Sequence, residues 1–89
     1  MVRVCKVKFF NIYSNFKNGY IVHNTHKPFE TGHTHINNYK TAKYIAYLAL
    51  NKKLPKYNHL SNYLYESLIR ISTDEKYINK IQELKNKGK

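Results

Sequence analysis

Apolar and polar residues alternate along the first quarter of the chain. Residues 2–13, VRVCKVKFFNIY, follow a period of about two, which is typical of a β-strand, and their basic residues indicate an exposed or edge strand. Asn18-Gly19 is a strong turn signal, because both residue types accept positive φ. Residues 20–24, YIVHN, then predict the return strand of an antiparallel β-hairpin. Residues 33–36, HTHI, could add a short third strand.

The spacing of apolar residues becomes helical after residue 38. Asn37 or Asn38 is a suitable N-cap for a first helix over residues 39–53. Ala42, Ile45, Ala46, Ala49 and Leu50 would form the buried stripe of this helix. Leu54-Pro55 ends it, because the residue before a proline is restricted to extended dihedrals.

Two further helices are predicted in the last third of the chain. A second helix runs from residue 59 or 60 to residue 71, with leucine and isoleucine at helical spacing. Ser72 stands three residues before Glu75, which is the pattern of a capping box, and therefore predicts the start of a third helix. Residues 85–89 would be a frayed basic tail. The sequence thus predicts one α+β domain over residues 1–89, with a hairpin followed by three helices.

The chain carries a large excess of positive charge. It has 16 Lys and Arg residues against 5 Asp and Glu residues, a formal net charge of +11. Residues 1–65 hold ten of the bases and only one acid, Glu30, whereas residues 66–89 hold six bases and four acids. A small domain stays soluble with a net charge of about 2–8, so the excess favours a polyanionic partner such as nucleic acid. A codon bias toward Lys and Asn in an AT-rich genome is the alternative explanation.

Length and composition exclude several classes of protein. With 89 residues, the chain is expected to bury one modest core and to lack room for a deep enzyme cleft. No apolar run approaches the roughly 20 residues of a membrane span, and the alternating N-terminal segment is unlike a secretory signal. We therefore expect no membrane association and a cytoplasmic location. Cys5 is the single cysteine, which excludes an internal disulfide.

Four of the five histidines lie within residues 23–35, namely His23, His26, His33 and His35. Their number suits a tetrahedral metal site, but zinc sites usually include cysteine or a carboxylate, and only Glu30 lies nearby. We therefore expect no metal and no other cofactor. Two histidines could serve as general acid and base of a ribonuclease, but the sequence does not place two of them across a phosphate. The simpler interpretation is a basic surface with polar residues, on a protein that is not an enzyme.

The first predicted helix carries the principal candidate site. Lys40, Tyr44 and Tyr47 share one helix face opposite the apolar stripe, with Lys43 beside them. Lysines there can contact phosphates, and tyrosines can stack on unpaired bases. The other interpretation is that the tyrosines pack on the sheet and the lysines are only solvated. The full set of predicted nucleic-acid-binding residues is Lys40, Lys43, Tyr44, Tyr47, Lys52, Lys53, Lys56, His33, His35, Lys6 and Lys8, with Arg3 joining if sheet and helix share a face.

Part of the layout resembles a known DNA-binding fold. The segment GHTHIN, the following helix and LSNYLYESLIRIS give the order strand, helix, turn, helix of ribbon–helix–helix repressors. The resemblance implies a homodimer in which alternate strand residues, here His33 and His35 or their neighbours, read the major groove. The N-terminal hairpin has no place in that fold.

One principal functional hypothesis, one alternative and one less favoured option, a small histidine-dependent ribonuclease, follow. We expect a small basic nucleic-acid-binding protein with a regulatory or accessory role, in an AT-rich genome or its mobile elements. The alternative is a protein–protein interaction module, an inhibitor or adaptor of a larger protein, for which the nine tyrosines suit interface anchors. The expected partner is therefore nucleic acid or another acidic macromolecule, or else a protein, and a homodimer is possible.

Overall fold

Four antiparallel strands form one sheet in a computed structural model that describes residues 2–15, 19–55 and 60–87. The strands lie in the order β1-β2-β3-β4 and are followed or interrupted by four helices. The elements are β1 (Val2–Val7), β2 (Phe10–Asn15), β3 (Gly19–Asn24), α1 (Phe29–Gly32), β4 (His33–Ile36), α2 (Tyr39–Asn51), α3 (Asn62–Ile71) and α4 (Glu75–Lys87). The predicted α+β class and the third strand at residues 33–36 are confirmed.

The segment predicted as one strand over residues 2–13 forms two strands. The chain reverses at Lys8 and Phe9, and Val7 pairs with Phe10 across this two-residue turn. Lys8 has left-handed dihedrals, with a φ of 55°. Glycine or asparagine usually occupies such a position, so a lysine there gives no turn signal in the sequence. The sheet consequently has one more strand than the sequence indicated.

The rest of the sheet follows the predicted order. β2 and β3 pair in regular register and form the predicted hairpin, although Asn18 of its turn lies outside the described residues. β4, the strand of the ribbon–helix–helix resemblance, pairs with β3 of the same chain. The short helix α1 was not predicted, and it ends at Gly32. A Cβ atom on Gly32 would lie 2.5 Å from the Cβ of Lys27, so only glycine fits there.

The bounds of α2 agree closely with the prediction. Asn38 is the N-cap, and its side chain accepts a hydrogen bond of 3.1 Å from the backbone N–H of Thr41. Lys52 ends the helix in left-handed dihedrals, and its backbone N–H donates to the carbonyl of Leu48. Within the described ranges, no helix has the length and apolar composition needed to cross a membrane.

The start of α4 differs from the predicted capping box. Ser72 ends α3, and its hydroxyl donates to the carbonyl of Leu68 at 2.5 Å. The carboxylate of Asp74 accepts a hydrogen bond of 3.2 Å from the backbone N–H of Lys76 and thereby caps α4. α4 continues to Lys87, so residues 85–87 of the predicted tail are helical.

Helices α2 and α3 cover one face of the sheet. The strands contribute Phe10, Ile12, Val22 and Ile36 to a cluster that includes Ala42, Ile45, Ala46, Ala49, Leu68 and Ile71 of the two helices. α4 packs on α3 and adds Tyr77 and Ile81. Directly paired residues of antiparallel strands share a face, so all four strand residues point inward. Among the described residues, the cluster includes none from the opposite face of the sheet.

Buried polar groups fix the position of α3 on the sheet. The side chain of Asn24, 2% exposed, donates through Nδ2 to the carbonyl of Ile71 and accepts through Oδ1 from the backbone N–H of His26, both at 2.9 Å. The hydroxyls of Thr34 and Ser67 share a buried hydrogen bond of 2.6 Å. Buried polar groups are stable only when they are hydrogen-bonded, so these bonds fix the register between α3 and strands β3 and β4.

Replacing Asn24 tests this role. Asn24→Ala removes both hydrogen bonds and leaves a buried carbonyl without this donor, so the free energy of unfolding should fall by about 2–3 kcal/mol. Urea denaturation followed by circular dichroism measures the loss. Asn79→Ala, an exposed position of α4, is the matched control and should change the free energy of unfolding by less than about 0.5 kcal/mol. Equal losses for the two variants would show that Asn24 has no special role.

Candidate nucleic-acid interface

Eight side chains form two rows across the face of the sheet opposite α2 and α3, and one of them, Ile21, is buried at 5% exposed. Side chains alternate between faces along a strand, and paired residues share one, so the strand pairings define the rows. One row is Lys6, Asn11, His23 and His33, and the other is Arg3, Tyr13, Ile21 and His35. We call these eight residues the outer face. Each row crosses all four strands, so that cations lie at the β1 edge and histidines at the β4 edge.

A bulge in β1 brings both of its cations to the outer face. In a regular strand, Arg3 and Lys6 would lie on opposite faces, because they are three positions apart. The register shifts between Arg3 and Cys5, and Arg3 therefore pairs with Tyr13 while Lys6 pairs with Asn11. Within the described ranges, neither cation forms an ion pair. Two positive charges consequently lie at one edge of the outer face.

Four rings pack together near the β4 edge of the outer face. Phe29 of α1 stacks on His33, with 4.3 Å between ring centroids and 5° between ring planes. His23 and Phe29 meet edge to face at 5.2 Å, as do His33 and His35. We call His23, Phe29, His33 and His35 the aromatic cluster. The structure thus brings the two predicted histidines, His33 and His35, side by side.

Hydrogen bonds orient two of the cluster histidines. The Nδ1 atom of His33 lies 2.5 Å from the carbonyl oxygen of Phe29, and Nε2 of His23 lies 3.0 Å from that of Lys27. A carbonyl oxygen only accepts, so each of these nitrogens donates, and the second nitrogen of a neutral ring is left as an acceptor. The described residues contain no group of three or more His, Cys, Asp and Glu side chains that could hold a metal ion.

An open groove of about 690 Å³ runs beside the edge strand β4. His33 and His35 of β4 line the groove together with Arg70 of α3. Arg70 donates through Nε to the carbonyl of His33 at 2.6 Å and through Nη2 to the carbonyl of Glu30 at 2.9 Å. The groove therefore combines a fixed guanidinium group with two imidazole rings.

The candidate residues of α2 lie on the opposite side of the molecule. α2 packs on the inward face of the sheet through Ala42, Ile45 and Ala49, so its outward residues point away from the outer face. Tyr44 is 39% exposed and Tyr47 is 44% exposed. We call Lys40, Lys43, Tyr44, Tyr47, Lys53 and Leu54 the α2 surface. The cations of the strands and those of the helix therefore form two separate surfaces. The sequence analysis had allowed for one continuous basic surface.

Two lysines of the α2 surface contact neighbouring tyrosines. The Nζ atom of Lys53 donates to the hydroxyl of Tyr47 at 3.0 Å and lies 5.4 Å from the centroid of its ring. The Nζ atom of Lys43 lies 5.6 Å from the ring centroid of Tyr39. The contact with Lys53 occupies part of the ring of Tyr47, which the sequence analysis assigned to stacking on bases.

Lys52 and Lys8 are the other predicted lysines that the structure describes. Lys52 forms an ion pair with Asp74, with 3.4 Å between Nζ and Oδ2. Lys8 lies in the turn between β1 and β2, at one end of the sheet. Lys56 falls outside the described residues. Exposed ion pairs are weak, but the carboxylate of Asp74 reduces the positive potential near Lys52.

Two tyrosines with shifted pKa values belong to the packing of the fold. Burial raises the pKa of Tyr77, which is 4% exposed and whose hydroxyl donates to the carbonyl of Lys53 at 2.7 Å. Interaction with the thiol of Cys5 raises the pKa of Tyr39, which packs against the core cluster. Both side chains join the helices to the rest of the fold and neither belongs to the outer face.

Tyr13, Phe29 and Arg70 are among the residues of the site that were not predicted from the sequence. Tyr13 has a usable signal, because it lies two positions after Asn11 and therefore on the same face of the strand. Phe29 has none, since it follows Pro28 in a segment that reads as a loop. Arg70 reaches His33 through the packing of α3 beside β4, a contact between positions 37 residues apart. Such a contact depends on tertiary structure and has no local pattern.

None of the five acidic residues belongs to a strand of the sheet or to α2. Glu30 is in α1, Glu66 is in α3, Asp74 connects α3 to α4, and Glu75 and Glu83 are in α4. Positive charge on the outer face and on α2 is therefore not offset by acids within those elements.

Comparisons of the chain with protein-family models, with curated proteins and with solved structures gave no match. Function is consequently inferred from the geometry of the two surfaces.

Arg70→Lys tests whether Arg70 holds α1 and β4 against α3. The change keeps the charge but removes the forked donors, so the free energy of unfolding should fall by about 1–2 kcal/mol. Amide hydrogen exchange, followed by mass spectrometry, should become faster in residues 29–33. Lys76→Arg exchanges the same residue types at an exposed position of α4 and should alter neither property. Unchanged exchange in residues 29–33 of Arg70→Lys would contradict the assigned role.

Proposed function

We propose that the protein binds single-stranded nucleic acid across the outer face of its sheet. The observation that carries the proposal is the pair of rows, which place Arg3 and Lys6 at one edge and histidine rings at the other. Cations of this kind contact phosphates, and aromatic rings stack on unpaired bases. Tyr13 lies between the two edges and offers a further ring.

The dimensions of the outer face suit a single strand. Four strands at a spacing of about 4.8 Å give a width of about 14 Å between β1 and β4. Four-stranded sheets of RNA-recognition modules stack two or three bases on aromatic side chains over a similar span. The major groove of a duplex admits a helix or a two-stranded ribbon, and a four-stranded sheet is too wide for it. Single strands are therefore favoured over duplexes.

The α2 surface supports a second candidate function, the docking of a protein. Tyr44, Tyr47 and Leu54, the last 45% exposed, border an open groove of about 320 Å³. Tyrosine is enriched at the cores of interfaces, and the surrounding lysines favour an acidic partner. Like charges oppose the pairing of this surface with a second copy of itself. In either case, we propose a cytoplasmic accessory or regulatory role, which the composition of the chain suggests.

Two double variants with the same change in charge separate the surfaces. Arg3→Gln with Lys6→Gln alters the outer face, and Lys40→Gln with Lys43→Gln alters α2. Affinity is measured by fluorescence anisotropy with labelled single strands of about 12 nucleotides and with a matched duplex. The outer-face variant should weaken binding of the single strand about tenfold and should reduce the slope of log affinity against log salt by about 1.4.

The α2 variant serves as the control and should bind the single strand nearly as well as the wild type. Equal losses for the two double variants would indicate attraction to net charge only. A larger loss of affinity for the α2 variant would show that α2, and not the outer face, forms the interface. No binding of single strands by the wild type would reject the proposed function.

A further inference from the structure

We propose that the groove beside β4 cleaves the RNA strand that the outer face binds, with His33 as the general base and His35 as the general acid. The inference rests on the proposed function and names RNA as the substrate. It departs from the sequence-based expectation of a protein that is not an enzyme. That expectation followed from the lack of any means to place two histidines together, and the structure places them side by side.

His33 is held in the form that a general base requires. Its Nδ1 atom donates to the carbonyl of Phe29, so Nε2 carries the lone pair of the neutral ring. The ring of Phe29 stacks on it at 4.3 Å, and His35 meets it edge to face at 5.2 Å. One hydrogen bond and two ring contacts therefore fix the plane of the imidazole before a substrate arrives.

His35 is suited to the role of general acid. It is exposed, it lies two residues after His33 on the same face of β4, and it lines the same groove. Two imidazole rings 5.2 Å apart can both reach a single phosphodiester, one toward the 2′-hydroxyl group and one toward the leaving oxygen. The imidazole side chain is well suited to both roles, because histidine exchanges protons near neutral pH.

Arg70 supplies positive charge to the same groove. Two backbone carbonyls hold its guanidinium group, and its remaining N–H groups are available to the charge that develops on the phosphorus oxygens. Glu66 also lines the groove, but its carboxylate lies 2.8 Å from the ammonium group of Lys85. The volume of about 690 Å³ and the open shape of the groove admit a segment of RNA.

The reaction is a transesterification that needs no metal or redox partner. Nε2 of His33 takes the proton of the 2′-hydroxyl group, and the 2′-oxygen attacks the adjacent phosphorus. The bond from phosphorus to the 5′-oxygen breaks, and the imidazolium of His35 gives a proton to that oxygen. The products are a 2′,3′-cyclic phosphate and a 5′-hydroxyl end. DNA has no 2′-hydroxyl group and is bound without being cleaved.

Cleavage of a labelled RNA of about 12 nucleotides tests the proposal, with fragment ends identified by mass spectrometry. The wild type should produce 2′,3′-cyclic phosphate ends, and a 2′-deoxy strand of the same sequence should stay intact. His35→Ala should lower the rate about 100-fold or more, because it removes the general acid. His33→Asn should do the same while keeping a donor for the carbonyl of Phe29.

His26→Ala is the matched control. His26 stacks on Phe9, with 4.0 Å between ring centroids, beside the turn between β1 and β2, and does not line the groove. This variant should cleave RNA at the rate of the wild type. Equal rates for His35→Ala and the wild type would assign the activity to a contaminant and overturn the proposal.

Binding of a 2′-O-methyl strand, which cannot be cleaved by this route, separates the two proposals. If the wild type binds this strand but leaves RNA intact, the proposed cleavage is rejected and the proposed binding is retained. A wild type that binds neither strand overturns both. Because His35 is exposed, the folding of its alanine variant should be unaffected.

Discussion

The packing of α2 and α3 against a single face of the sheet is the constraint on which the rest of the structure depends. Ile12, Val22 and Ile36 are buried only while these helices stay in place, and burying one such side chain contributes about 1.5–3 kcal/mol. Strand side chains alternate, so covering one face leaves the residues between them on the other. The outer face therefore follows from the same pattern that builds the core, and the chain places basic and aromatic residues there.

Periodicity in the sequence located most elements, because spacing is a local property. The α+β class, the strand at residues 33–36 and the N-cap of α2 at Asn38 are confirmed. The reversal at Lys8 was not predicted, since a lysine there carries no turn signal. The start of α4 was misplaced because Ser72 uses its hydroxyl on the preceding helix. Both errors occur where a residue departs from its usual local preference.

The candidate site was harder to predict, because it depends on which elements share a face. His33 and His35 were identified as histidines near a basic helix, but they lie with Arg3 and Lys6 on the far side of the sheet from that helix. The bulge in β1 places those two cations on the same face, and the spacing of residues in the sequence does not indicate this bulge. Asn24 and Arg70 make contacts across 47 and 37 positions, which become visible only in the folded chain.

The central claim is that nucleic acid lies on the outer face and that the α2 surface stays exposed. The two surfaces are on opposite sides of the sheet, so one short strand cannot contact both. Photo-crosslinking of a single strand that carries 5-iodouracil, followed by mass spectrometry of the peptides, identifies the side chains against the bases. We expect adducts on Tyr13, His33 or His35. Adducts confined to Tyr44 and Tyr47 would contradict the claim.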